Sequence, residues 1–117
     1  MARADFINQL KALGFETQEL SNSIVAIEYL VPIGKNKGKT VRLGFQVQDD
    51  FPMNCPAGLH FNAVNADNWK EPRQNVSDSP LGSGWRYWSR RFPDWNRTDR
   101  SVRTFLAHVR NILTRIE

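Results

Sequence analysis

Near the C-terminal end of the chain, apolar residues recur at the helical period. Val102, Phe105, Leu106, Val109, Ile112, Leu113 and Ile116 fall at i, i+3, i+4, i+7, i+10, i+11 and i+14. Such a stripe predicts a long helix laid against a sheet. Thr98 reads as its N-cap, with Asp99 in the first turn, where a negative charge suits the helix dipole. Arg110 and Arg115 lie towards the other end, which suits a positive charge. At the opposite end of the chain, Phe6, Leu10 and Leu13 at i, i+4 and i+7 predict a short amphipathic helix over 4–13, stopped by Gly14.

Between the helices the period changes. Ser23 to Val31 (SIVAIEYLV) is rich in β-branched residues and apolar on both faces, as a well-covered strand is. Pro32 to Lys39 (PIGKNKGK) is glycine-bounded and lysine-rich, and reads as the tip of a hairpin. Val41, Leu43, Phe45 and Val47 then alternate with Arg42, Gly44, Gln46 and Gln48, the pattern of a half-buried antiparallel strand. Phe51 to Phe61 carries two prolines, so it is expected to be an extended connection rather than a central strand. Leu59 to Phe61 ends it as a short third strand. From Asn62 to Ser83 periodicity is lost, and a structureless stretch of that length predicts a functional or lid-like loop. Helix, antiparallel meander and long helix together make an α+β domain with the helices segregated to one side.

The 117 residues suit one domain, 1–117, with its own core. A single cysteine excludes an internal disulfide and fits a reducing compartment. No leader-like segment opens the chain, and no apolar run approaches the ~18 residues that span a membrane, so a cytoplasmic protein without membrane partners is expected. The net charge of +4 is unevenly spread: Gly84 to Glu117 holds eight arginines against three carboxylates. That basic third is either a solvated helix face or a surface for nucleic acid or an acidic protein.

Within it, Gly84 to Trp95 (GWRYWSRRFPDW) packs three of the four tryptophans, a tyrosine, a phenylalanine and three arginines into twelve residues. A run this dense either plugs a small core or builds a binding surface from Trp85, Arg86, Trp88, Arg90, Arg91 and Trp95. On such a surface bases would stack on the rings and arginines would meet phosphate, which makes a nucleic-acid-binding module the alternative reading of function.

The order of elements resembles the ubiquitin-conjugating (UBC) fold. Phe51-Pro-Met-Asn-Cys-Pro56 resembles the proline-bearing flap that this family writes as Tyr-Pro-x-x-Pro-Pro. Trp95-Asn-Arg-Thr-Asp-Arg-Ser-Val-Arg-Thr-Phe-Leu resembles its Trp-Ser-Pro segment and the helix that follows. Trp85-x-x-Trp88-Ser89-Arg90, followed by a tryptophan and a long helix, is similar to the divergent prokaryotic branch. The resemblance implies a protein of a bacterial ubiquitin-like conjugation pathway, with a ubiquitin-like protein and its activating enzyme as partners. It further implies that Arg3 and Lys11 of the first helix, with Lys35, Lys37 and Lys39 of the hairpin, meet the activating enzyme.

Transfer of a ubiquitin-like C-terminus is acyl transfer, normally through a cysteine thioester. The family's cysteine stands about eight residues before the Trp-Ser-Pro tryptophan, which here is Tyr87, and its His-Pro-Asn triplet has no counterpart. Cys55 occupies a flap position and reads as a small packed hydrophobe. Ser89 is the remaining candidate, either as an oxyester nucleophile with His60 as base or as a turn or cap residue. The chain is therefore read as a non-standard member that carries the ubiquitin-like protein on a non-cysteine nucleophile or as a silent docking subunit. Asn62, Asn65 and Asn68 are open candidates for an oxyanion donor, and His108 reads as a boundary residue of the helix. Two histidines and one cysteine without paired spacing imply no metal site, and GKNKGK lacks the spacing of a phosphate loop, so no cofactor is implied.

Overall fold

In the computed structural model of the chain, the residues described are 2–20, 24–56, 58–63, 66, 68–71, 74–82, 84–89 and 91–115. Helix α1 (Ala2–Ala12) is followed by strands β1 (Gln18–Leu20), β2 (Ile24–Leu30), β3 (Thr40–Gln46), β4 (Gly58–Asn62), β5 (Val76–Asp78) and β6 (Trp85–Ser89). A single 3₁₀ turn (Trp95–Arg97) leads into helix α2 (Val102–Thr114). The strands form one antiparallel sheet in the order β1-β2-β3-β4-β6-β5. This is an α+β domain with helices at both ends of the chain, as the pattern implied.

Three strands lie where none was expected. β1 is only three residues long and half polar, too short to show alternation. β5 sits inside the stretch read as structureless, and β6 inside the aromatic run. β6 hides its period because both of its faces are covered: Trp88 joins the core, while Trp85 and Tyr87 pack on the other side.

Both helices lie on one face of the sheet. Phe6 and Leu10 of α1 and Val102, Phe105, Leu106, Val109, Ile112 and Leu113 of α2 share a core with Val25, Ile27, Leu43, Phe45, Leu59 and Phe61. Ile116 lies outside the described residues. Phe105 is the wedge of this core, with ring centroids 5.4 Å from Phe45, 6.2 Å from Phe6 and 6.4 Å from Trp95. Edge-on contacts of this kind are favoured by the ring quadrupoles.

The cap of α2 is Ser101, not Thr98. The Ser101 hydroxyl accepts the Thr104 N–H at 3.1 Å from an extended backbone, as an N-cap does. Asp99 precedes the cap and accepts from Thr104 Oγ1, Ser101 Oγ and Ser101 N, which holds its carboxyl below the usual carboxylate range. Thr98 closes the preceding turn instead, donating to the Trp95 carbonyl and accepting the Arg100 N–H. Gln9 of α1 takes another unpaired donor, its side-chain oxygen accepting Val102 N–H at 2.8 Å, so the two helices are joined at that end.

Among the described residues after β4, Asn68 and Lys70 are fastened to the β2–β3 hairpin. Asn36, at the hairpin tip and 1% exposed, donates to the Lys70 carbonyl at 2.8 Å and accepts the Lys70 N–H at 2.7 Å. Its amide thus replaces a strand partner for that residue. The tip itself is held against α2. Gly34 has φ +92°, and a Cβ there would come within 3.2 Å of the Leu113 carbonyl.

Truncating the wedge, Phe105→Ala, should cost about 3–5 kcal/mol of unfolding free energy, and Leu106→Ala, nearer the rim, about 2–3 kcal/mol. Urea denaturation measures both, and unmoved midpoints would mean that α2 does not pack on the sheet in solution.

Candidate functional site

Four pieces of chain converge where the flap crosses the sheet: the flap itself, the start of β4, the end of β6, and the segment leading to α2. The flap contains a cis Phe51–Pro52 bond. Its backbone is held by Trp95, whose indole N–H donates to the Pro52 carbonyl at 2.9 Å. The Trp95 ring also lies 6.1 Å from Phe51 and 5.8 Å from Phe92. A buried indole needs an acceptor for its one donor, and this carbonyl supplies it.

The aromatic run is therefore largely a plug. Trp85, Trp88 and Trp95 are 8%, 5% and 3% exposed. Their rings are buried, so of the two readings of the run the packed one describes these three. Arg86 is not a free cation either, because it is paired with Glu71 and Asp78, and their hydrogen bonds raise its already high pKa further. Arg91 is exposed, and Arg90 lies outside the described residues.

Beside the flap is a small hollow of about 120 Å³ lined by Gln46, Gln48, Cys55, Pro56, Gly58, His60 and Tyr87. Its floor depends on Gly58. A Cβ there would fall 2.5 Å from the Trp88 carbonyl and 2.7 Å from the Tyr87 hydroxyl, so any side chain would expel the tyrosine. The Tyr87 ring leans on His60 at 4.8 Å between centroids.

His60 is 6% exposed, and its Nδ1 lies 2.7 Å from the hydroxyl of Ser79, a residue that sequence reasoning did not single out. The Ser79 hydroxyl also accepts the Leu81 N–H at 3.2 Å. A hydroxyl can accept twice and donate once, so either tautomer of the neutral imidazole satisfies this pair. Burial lowers the His60 pKa, so the ring is held neutral. The sequence signal was Ser-Pro-Leu-Gly, a turn whose hydroxyl bonds the backbone two residues on.

Ser89 is exposed at the end of β6, opposite Gly58, while the partner of His60 across the ladder is Tyr87. Among the described residues no hydrogen bond joins Ser89 to His60. His60 spends its Nδ1 on Ser79 and not on Ser89. The structure thus brings the two candidates onto adjacent strands without making them a couple. Cys55 is half-buried against the core, and burial pushes its thiol up to about 11, the reverse of an activated nucleophile. Asn62 and Asn68 stand on β4 and in the fastened segment, and Asn65 lies outside the described residues. His108 is stacked on Phe92 at 4.3 Å, a packed boundary position.

Of the cations expected to meet a partner, Lys11, Lys35 and Lys37 are exposed. Arg3 pairs with Glu19 at 3.3 Å, and Lys39 is half-buried with its ammonium on the Asn68 carbonyl. Among the described residues no group of three or more His, Cys, Asp or Glu is placed to hold a metal, and no helix is long and apolar enough to cross a membrane. Comparison with protein-family models, with curated proteins and with solved structures finds no match to this chain.

The neutral His60 makes stability depend on pH in a definite direction. The unfolded chain protonates this residue near its ordinary value of 6.5, whereas the folded chain does so only below that. The unfolded state therefore binds more protons in that window, and stability falls as pH drops through 6.5. Denaturation midpoints across this range should decline in the parent protein and be flatter in His60→Gln. Cys55 should resist iodoacetamide at neutral pH until the chain is unfolded in urea. Rapid labelling of the folded protein would refute a packed thiol.

Proposed function

We propose that this chain is a ubiquitin-conjugating-like protein that docks the components of a ubiquitin-like conjugation pathway without carrying the acyl group itself. Support for the family comes from the element order, with a proline-bearing flap between two strands of an antiparallel meander and a tryptophan that clamps it ahead of a long helix. The observation that carries the silent role is the placement of His60, buried beside Ser79 and opposite Tyr87 with no hydrogen bond to Ser89, so that no base is coupled to that hydroxyl. A serine hydroxyl with no base is a poor attacker at neutral pH. Tyr87 stands where the family places its cysteine, with its ring in the hollow, and Cys55 is protonated and half-buried.

Nucleic-acid binding is the second reading, because Trp85, Trp88 and Trp95 are buried and would have to emerge before bases could stack on them. The exposed Lys11, Lys35 and Lys37 suit an acidic protein face, where charge sets the rate of encounter.

The test uses a ubiquitin-like protein and its activating enzyme, taken from neighbouring genes where such genes lie beside this one, with ATP. Size-exclusion chromatography should show a non-covalent complex, and denaturing gels should show no adduct, in the parent protein and equally in Ser89→Ala and Cys55→Ala. An adduct that survives thiol, is cleaved by hydroxylamine and is lost in Ser89→Ala would make Ser89 the acyl carrier and defeat the silent role. Absence of any complex would remove the pathway altogether.

A further inference from the structure

Strand β2 is only half covered on its β1 side. β1 pairs with it over Ile24 to Ala26, whereas β3 runs beside it all the way from Ile24 to Leu30. Ahead of Gln18 the chain swings away from β2. The gap is a cleft of about 650 Å³ lined by Gly14–Gln18, Ala26–Glu28 and Arg42.

The direction of the backbone groups along this edge follows from the hairpin. Val31 N–H donates to the Lys39 carbonyl, and Gly38 N–H donates to the Val31 carbonyl, so Val31 turns both of its groups towards β3. Alternation in a strand then turns Tyr29, Ile27 and Val25 the same way and points the groups of Ala26, Glu28 and Leu30 at the other edge. Ala26 faces Gln18 there. The N–H and C=O of Glu28 and Leu30 face the open side with no partner among the described residues. The end strands of the sheet, β1 and β5, are each three residues long, as protected edges are. This inner edge carries no such protection.

We propose that the free edge of β2 at Glu28–Leu30 is a strand-addition site for an extended peptide of alternating apolar and basic residues. A second backbone is the partner that matches a row of alternating donors and acceptors, with affinity from the main chain and selectivity from alternate side chains. The side chains at the edge choose the sequence. Glu16 and Glu28 bring carboxylates to the cleft, while its one lining cation, Arg42, donates to Gln18 Oε1 at 2.6 Å and lies over the Trp85 ring at 5.4 Å. Leu30, 63% exposed, and Leu13, 42% exposed at the end of α1, provide apolar contact on the flanks of the stacked Phe15–Tyr29 pair. A second copy of the chain fits less well, because edge-to-edge pairing would bring two sets of Glu16 and Glu28 together. The site is independent of the pathway proposed above.

The probe is a fluorescein-labelled Leu-Lys-Leu-Lys-Leu peptide added to the full chain, with the same peptide N-methylated at alternate amides as control. Anisotropy should show saturable binding, and hydrogen exchange should show slowed exchange at the Glu28 and Leu30 amides. The N-methylated peptide should bind at least about tenfold more weakly, having lost half its donors. Leu30→Pro should abolish binding by removing a donor. Glu28→Gln, which keeps the size of the side chain and adds no charge opposite Arg42, should weaken the lysine peptide several-fold and reduce its advantage over a Leu-Glu-Leu-Glu-Leu peptide. Unprotected Glu28 and Leu30 amides at saturation, or equal binding of the N-methylated peptide, would overturn the proposal. So would a concentration-dependent dimer in sedimentation that protects these amides without peptide.

Discussion

The structure depends first on where Trp95 and Phe105 go. Trp95 is 3% exposed and Phe105 2%, and between them they touch the flap, α1, β3 and the approach to α2. Burying two such rings is worth several kcal/mol, but the indole N–H must be satisfied in the same place. The Pro52 carbonyl is the acceptor, so the flap is drawn onto the segment ahead of α2 by the requirement of one donor. The Ser101 cap and the Gln9 bond to Val102 then set where α2 begins and which helix it begins against.

The face of the sheet away from the helices is organised differently. Gly44 is the low point of that face, where an added Cβ would lie 3.1 Å from Ile24 and 3.5 Å from Trp85. Trp85 fills the space a larger residue would have taken, and the Arg42 guanidinium covers the ring. His60 is buried on the same face beneath Tyr87 and beside Ser79. A titratable group in that setting is kept neutral by desolvation and oriented by a hydroxyl. Those are the needs of a structural polar contact, and a buried ring with no hydrogen bond to Ser89 is not placed to take its proton.

One arrangement thus accounts for both the order and the quiet chemistry of the site. Rings that could have stood at the surface are packed inward, Arg86 is neutralised by Glu71 and Asp78, and the thiol of Cys55 is held protonated. Unpaired backbone hydrogen-bonding capacity lies across the sheet, along β2, where β1 begins only at Gln18 and pairs no further than Ala26.

The α+β class, the two helices, the β2–β3 hairpin and the apolar stripe of α2 were legible in the sequence, because the helices and β3 display their periods and β2 is a β-branched apolar run ended by a glycine-bounded turn. Other features needed tertiary structure. β6 was invisible because covering both faces of a strand erases alternation, and β5 and β1 because three residues are too few to show it. Thr98 and Ser101 are both good capping residues, and the choice fell to Ser101 when Thr98 was drawn into the turn under Trp95. The aromatic run determined by itself that a large apolar surface had to be buried or used. It did not determine which. That followed from the arrival of the flap carbonyl and the core of α2 around Trp95, contacts made by residues far apart in the chain. The pairing of His60 with Ser79, nineteen residues on, was likewise decided when β6 inserted between β4 and β5 and brought the intervening turn back over the sheet.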